Sequence, residues 1–226
     1  MKDKVKYILE LPIFEAENKL EKDCDIMGLK FTEDILGGKT ALKKYLPLIK
    51  KPLMISGTGN DSVDRELWPE LIKLLDRECI IAYADENTYK DIVPLVIQGG
   101  HRLVIRTPID INLAKEMNIL TSDLGLPLDK IIIDTDIGGL GYGLEYGYSI
   151  MEKIKLEGKS GDKYLDMPLI SFAAEETAKT KEAKDESLAM FLEIASASAV
   201  KAAGADYIVL TLSLIHISEP TRQAEI

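Results

Sequence analysis

The residues best able to do chemistry stand in one stretch, Asp134-Thr135-Asp136-Ile-Gly138-Gly139-Leu-Gly141-Tyr142-Gly143-Leu-Glu145-Tyr146. Before it runs Ile131-Ile-Ile, β-branched, too short for a helix and suited to a strand buried on both faces. A carboxylate at the C-terminal tip of a parallel strand, followed by a glycine loop, is where α/β proteins receive ligands. Bare backbone at Gly138, Gly139, Gly141 and Gly143 would let a flat ligand or another surface lie close to the main chain. The same pattern also serves a plain strand-to-helix turn capped by Asp134. A dinucleotide site is discounted, because the glycines fall as Gly139-x-Gly141-x-Gly143 and no acidic strand end follows at the required distance.

Other polar residues follow other apolar runs. Asn60, after Gly57-Thr-Gly, could donate to a ligand amide or cap a helix. Asn87 sits in Asp85-Glu86-Asn87, and Asn112 falls in the first turn of a helix that Asp110 caps. Tyr142 and Tyr146 are four apart, on one helical face, either facing a ligand or forming a core stripe. His101 lies in a helix-to-strand turn and Trp68 beside Leu67 and Leu71, so both read as structural. Glu175-Glu176 and the lysines of 179–184 read as a solvated, mobile segment. No residue is nominated as catalytic and no metal-ligand set is found.

Composition narrows the partners. Lys and Arg number 28 against 38 Asp and Glu, a net charge of −10, which would repel phosphate backbones and anionic lipid. Nucleic acid and membrane are therefore not expected as partners. No apolar run is long enough to span a bilayer and no signal peptide opens the chain, so a cytoplasmic location is expected. Cys24 and Cys79 sit inside apolar runs without metal-ligand spacing, and two thiols cannot hold an iron–sulfur cluster.

These residues need elements to position them. Apolar strands are predicted at 25–31, 52–56, 79–83, 102–106, 130–134, 168–173 and 206–211. Helices are predicted near 39–49, 62–76, 86–98, 110–123, 142–156 and 184–203. Met1 to about Lys22 reads as a helix interrupted at Pro12, from the spacing of Val5, Ile8, Leu9, Ile13, Ala16 and Leu20. The alternation implies a parallel sheet flanked by helices. The expected fold is a (β/α)8 TIM barrel over residues 1–211, truncated, with β1 and the C-terminal closing elements missing; a doubly wound open sheet is the alternative. Polar residues after nearly every strand favour the barrel mouth. A barrel lacking β1 would leave two unpaired edges and a tendency to aggregate.

Leu212-Ser-Leu-Ile-His216-Ile-Ser-Glu-Pro-Thr-Arg222 resembles the translation of a sequencing-library adapter, and residues 212–226 are set aside as non-native. His101 is then the single remaining histidine, which weakens any mechanism needing a histidine base.

Five segments in order carry a family resemblance: Gly57-Thr-Gly-Asn60, Asp85-Glu-Asn87-Thr-Tyr89-Lys90, Pro108-Ile-Asp110-Ile-Asn112-Leu-Ala-Lys115, Gly141-Tyr-Gly-Leu-Glu145-Tyr146 and Met167-Pro-Leu-Ile. Over about residues 50–211 the chain resembles the delta subunit of acetyl-CoA decarbonylase/synthase, the small subunit of the corrinoid iron–sulfur protein. The resemblance implies a TIM barrel with no cofactor of its own that caps a corrinoid (cobalamin) shared with a large corrinoid/iron–sulfur subunit as a heterodimer. Methyltransferase and acetyl-CoA synthase would be transient partners as a methyl group passes from methyl-tetrahydropterin to acetyl-CoA synthase. The corrinoid- or partner-facing residues would be Asp134, Thr135, Gly138, Gly139, Gly141, Tyr142, Gly143, Asn60, Asn87 and Asn112. An autonomous pterin-dependent methyltransferase of the same barrel superfamily is the alternative. Ser56-Gly57 and Ala84-Asp85 stand where that family would offer Asp and Asn.

Overall fold

A computed structural model describes residues 4–17, 19–20, 23–107, 109–138 and 143–211. Eight parallel strands close into a barrel in sequence order: β1 (Lys6–Pro12), β2 (Ile26–Lys30), β3 (Leu53–Ser56), β4 (Cys79–Ala84), β5 (Arg102–Arg106), β6 (Ile131–Asp134), β7 (Leu169–Ser171) and β8 (Tyr207–Leu210). The helices are α1 (Ile35–Tyr45), α2 (Asp61–Ile72), α3 (Tyr89–Gly99), α4 (Ile111–Asp123), α5 (Leu144–Lys159), α6 (Ala173–Ala178) and α7 (Glu186–Ala203). The closed ring excludes the open-sheet alternative.

The first strand is a correction. Residues 6–12 are not helical and β1 is not missing: Ile8 pairs with Ile26 on one side and with Val209 on the other. No strand edge is left open among the described residues, which removes the reason to expect edge-driven aggregation. Within Lys6–Pro12 the side chains alternate, with Leu9 and Leu11 in the cluster under the helices and Ile8 in the cluster inside the barrel. Leu9, Ile13, Ala16 and Leu20 also mimic helical spacing, but Ile13–Glu15 form only one 3₁₀ turn. The expected absence of closing elements and the adapter-like segment concern residues 212–226, which lie outside the described residues.

Two apolar layers hold the barrel together. The inner one comprises Ile8, Ile26, Met54, Ile80, Ala82, Val104, Ile132, Ile170, Phe172, Tyr207 and Val209, contributed by all eight strands and the residue after β7. The outer one sits between the strands and helices and includes Leu29, Ile55, Trp68, Val93, Leu103, Ile133 and Leu169. Local signals set the helix ends: Asp34, Asn60, Asp110 and Asp185 accept hydrogen bonds from first-turn amides of α1, α2, α4 and α7. Left-handed Gly100 and Gly204 end α3 and α7. Of the acidic and lysine-rich segment after β7, Glu175 and Glu176 fall within α6 and are half-buried, whereas the lysines of 179–184 face solvent as expected.

If β1 is a ring strand, its amides exchange as slowly as those of β6. Native-state hydrogen exchange should show protection of Ile8, Leu9 and Leu11 comparable to that of Ile132 and Ile133. Exchange within the time of an unprotected turn would contradict the closure.

Candidate functional site

Inward-facing positions at the C-terminal end of the barrel are polar where the lower layer is apolar. Arg106 ends β5 and pairs in register with Asp134 at the end of β6. Its Nε donates to Asp134 Oδ2 at 2.6 Å and its Nη2 donates to Glu175 Oε2, in α6, at 3.1 Å. The guanidinium carbon lies 3.8 Å from the Tyr83 ring centroid and 4.8 Å from that of Phe172. One flat cation is therefore gripped at its edges by two carboxylates and on its faces by two aromatic rings.

Electrostatics follow from that burial. Burial works against the Arg106 charge, but Asp134 and then Glu175 outweigh it and hold the guanidinium protonated. Burial pushes the Asp134 carboxyl up while Arg106 pulls it down; an arginine that cannot lose its proton keeps the pair ionic. Glu175 is held below the usual carboxylate range, because Arg106 and Lys30 outweigh its own burial. Glu10, on β1, lies in the same layer, where its carboxylate accepts from the Ser56 hydroxyl. Burial pushes the Glu10 carboxyl up, against the attraction of Lys30.

Above Arg106 opens a cleft of about 320 Å³ lined by Tyr83, Asp85, Glu86, Asn87, Arg106, Thr107, Leu113, Asp136, Glu175 and Lys179. The loops after β4, β5, β6 and β7 thus converge on one space. Asp85 shapes the first of these loops, its Oδ1 accepting from the amides of Asn87 and Thr88 and from the Thr88 hydroxyl. Asp136 adopts a left-handed backbone, φ +47°, and donates its amide to Asp134 Oδ1 at 3.1 Å. Its carboxylate, 45% exposed, lies with Oδ1 3.9 Å from Arg106 Nε. Three hydroxyls on adjacent strand ends, Thr107, Thr135 and Ser171, are buried without a hydrogen-bond partner among the described residues.

The expected site residues divide. Asn87 lines the cleft. Asp134 is at the mouth but only 1% exposed, and it faces Arg106 rather than an open space. Thr135 is buried beside it. Asn60 caps α2 and donates its amide to Glu33 Oε1 at 3.2 Å, and Asn112 sits exposed in the first turn of α4; neither lines the cleft. Gly138 follows Asp136, and Gly143, with φ +109°, starts α5 in a conformation that favours glycine. Gly139, Gly141 and Tyr142 lie outside the described residues. Tyr146 is 66% exposed and joins no core stripe. A close approach in this region is made by Gly147, where a Cβ would meet the Cγ2 of Ile137 at 2.6 Å. His101 and Trp68 are buried and structural, His101 Nδ1 accepting from the Cys79 amide at 3.3 Å. Cys79 is buried, its thiol pushed up to about 12 by desolvation. Among the described residues no cluster of metal-ligating side chains is found, and no helix is long and apolar enough to cross a membrane.

Sequence reasoning missed Glu10, Tyr83, Arg106 and the pairing role of Glu175. The available signal was the period of two: in Arg102-Leu-Val104-Ile-Arg106 the inward positions carry an arginine at each end of an apolar strand.

Two outcomes follow. Arg106→Met strands buried carboxylates and should cost about 3–5 kcal/mol in urea unfolding, as breaking one partner of a buried pair does. A carboxyl whose folded pKa is raised supports the fold below its unfolded pKa and loses that support as pH rises through the folded value. Glu10→Gln should therefore leave stability unchanged near pH 4 and raise Tm at pH 8 by about 2–4 °C, the shift ~1 kcal/mol makes in a domain of this size.

The CO dehydrogenase/acetyl-CoA synthase delta subunit family model matches residues 21–215. The delta subunit of the acetyl-CoA decarbonylase/synthase complex from Methanopyrus kandleri is 27% identical over 132 residues, 58% of this chain and 33% of that protein. The delta 1 subunit from Methanosarcina thermophila is 33% identical over 133 residues, 58% of this chain and 30% of that protein. The match thus spans about a third of the length of these curated relatives. Among solved structures, the dihydropteroate synthase of Thermus thermophilus superposes with a TM-score of 0.63 at 15% identity, covering 95% of this chain and 91% of the other. The Xanthomonas albilineans dihydropteroate synthase complex with 7,8-dihydropteroate gives a TM-score of 0.67 at 8% identity, covering 95% and 90%. At these identities the likeness speaks for the barrel fold. With the family model spanning most of its length, the chain belongs to the CO dehydrogenase/acetyl-CoA synthase delta subunit family.

Proposed function

We propose that this chain acts in the cytoplasm as the small, cofactor-free barrel subunit of a corrinoid iron–sulfur methyl carrier within an acetyl-CoA decarbonylase/synthase complex. It would dock a large corrinoid/iron–sulfur subunit as a heterodimer and cap the corrinoid with its mouth. Methyltransferase and acetyl-CoA synthase would visit in turn. The observation carrying this reading, beside family membership, is Arg106. Its guanidinium, clasped by Asp134, Glu175, Tyr83 and Phe172, lines the mouth cleft and engages the strand-end carboxylate that a ring entering the barrel would need. A pterin needs several directed hydrogen bonds at depth, and each ring atom left unpaired would cost roughly 1–3 kcal/mol. Here the charged groups at the mouth already pair with one another.

The rim suits a group borne by a partner. Glu86 and Asn87 are exposed and Asp136 is 45% exposed beside Arg106, offering amide and carboxylate groups to what the partner brings to the rim. When bound, the corrinoid supplies a cobalt that carries the methyl group. This chain's own contribution is to orient that face and exclude water from it. The proposed contact surface combines Asn87 with the Asp134–Gly143 loop, in which Asp134 positions Arg106 and Thr135 offers a buried hydroxyl; Asn60 and Asn112 lie outside the cleft and would act only in a wider footprint.

The test is methyl transfer from methyl-tetrahydropterin. The isolated chain with free cobalamin should show no turnover above background, whereas adding it to the corrinoid/iron–sulfur subunit and a methyltransferase should raise the rate of cobalt methylation. Turnover by the chain alone would instead support an autonomous pterin-dependent methyltransferase and overturn the docking reading.

A further inference from the structure

We propose that the mouth cleft is a socket for a cationic side chain, an arginine or lysine carried by a loop of the protein that docks on this end of the barrel. The inference rests on the docking reading above and names the chemistry of the contact.

Charge comes first. The lining carries four carboxylates, Asp85, Glu86, Asp136 and Glu175, against two cations, Arg106 and Lys179. Both cations are already engaged. Arg106 is bound by Asp134 and Glu175, with Asp136 Oδ1 farther off at 3.9 Å, and Lys179 Nζ lies 2.5 Å from Glu176 Oε1. Glu86 and Asp136 are exposed on the lining, so the field a visitor meets is negative. An anion would be repelled.

An acidic lining alone would be an ordinary solvated surface. The second observation is Thr107, which lines the cleft, is 1% exposed and has no hydrogen-bond partner for its Oγ1 among the described residues. A buried hydroxyl without a partner is costly, and a donor entering the cleft would relieve that cost. The third is the wall. Tyr83 and Leu113 give the cleft apolar flanks against which the methylene stem of a lysine or arginine can pack while its head reaches the carboxylates. With 320 Å³ of space, the cleft admits one such side chain and leaves Arg106 in place.

Steered association of this kind sets on-rate and register. Neutralising the rim should therefore weaken binding and flatten its dependence on salt without unfolding the barrel. The experiment titrates the corrinoid/iron–sulfur subunit against four forms of the chain at about 50 and 200 mM salt, a range over which exposed charges are progressively screened. The forms are the unmodified chain, E86Q/D136N, Thr107→Val, and Glu152→Gln as a control on α5 at the opposite end of the barrel. The expected result is at least tenfold weaker binding for E86Q/D136N with a shallower salt slope, and severalfold weaker binding for Thr107→Val with an undiminished Tm. Glu152→Gln should match the unmodified chain. Equal affinity across all four forms would overturn the socket while leaving the docking reading intact. Should the unmodified chain not bind the subunit at all, the docking reading falls, and acetyl-arginine amide followed by NMR shifts of Asn87 and Thr107 decides the socket. Shifts that vanish in E86Q/D136N keep it; shifts that are absent or unchanged by the substitutions reject it.

Discussion

Arg106 is the residue the barrel mouth is built around. A guanidinium with only 11% of its side chain exposed must find its hydrogen-bond partners inside the protein. Asp134 on the neighbouring strand and Glu175 on α6 supply them, and both positions depend on register. A slip of one residue between β5 and β6 would turn Asp134 to the opposite face and leave the charge bare. Such a buried pair is weak evidence for stability, since desolvation consumes much of what the ions gain from each other. Its effect is to make one strand alignment and one placement of α6 far better than their neighbours.

The same constraint decides what the mouth can do. A barrel interior ordinarily ends in a cup lined by loop residues, into which a substrate descends. Here the cup is floored by the Arg106 cluster, and the remaining cleft is shallow, acidic and open to the rim. Deep directed binding and surface contact make opposite demands on the strand-end carboxylates. The first needs them free and aimed inward; the second lets them hold the floor rigid. Asp134 is committed to the second arrangement, accepting from Arg106 on one oxygen and from the Asp136 amide on the other.

Seven of the eight strands were legible because each is a compact apolar run between turn signals, as in Leu53–Ser56 or Ile131–Asp134. The strand at the front was not, and the cause is specific. Glu10 breaks its apolar run from within, and the outward residues Leu9 and Leu11 continue into Ile13, Ala16 and Leu20, which together imitate a helical stripe. The polar residue that made β1 unreadable is a polar residue of the barrel interior. The site was half legible for a similar reason. Asp134 and Asn87 stand at strand ends, where position alone marks them, whereas Arg106, Tyr83 and Glu175 gain their meaning from partners brought together across the ring. Glu175 looked like a solvated charge because nothing in Glu175-Glu176 distinguishes the residue that turns inward from the one that pairs with Lys179.

Charge counting inside the mouth leads one step further. Glu10, Asp134 and Glu175 interact there with Lys30 and Arg106, three acids against two bases. Full ionisation leaves one negative charge in excess, and its cost falls on the carboxyl with the weakest cationic partner. Glu10 is that carboxyl. It is half-buried and meets a hydroxyl donor rather than a guanidinium, and burial, the largest influence on its carboxyl, pushes it up against the attraction of Lys30. Asp134 and Glu175 are balanced by Arg106 and Lys30, and the rim carboxylates of Glu86 and Asp136 add negative charge at the solvent face. The barrel therefore presents a base of mutually paired charges beneath an acidic lip, and whatever docks there meets the lip first.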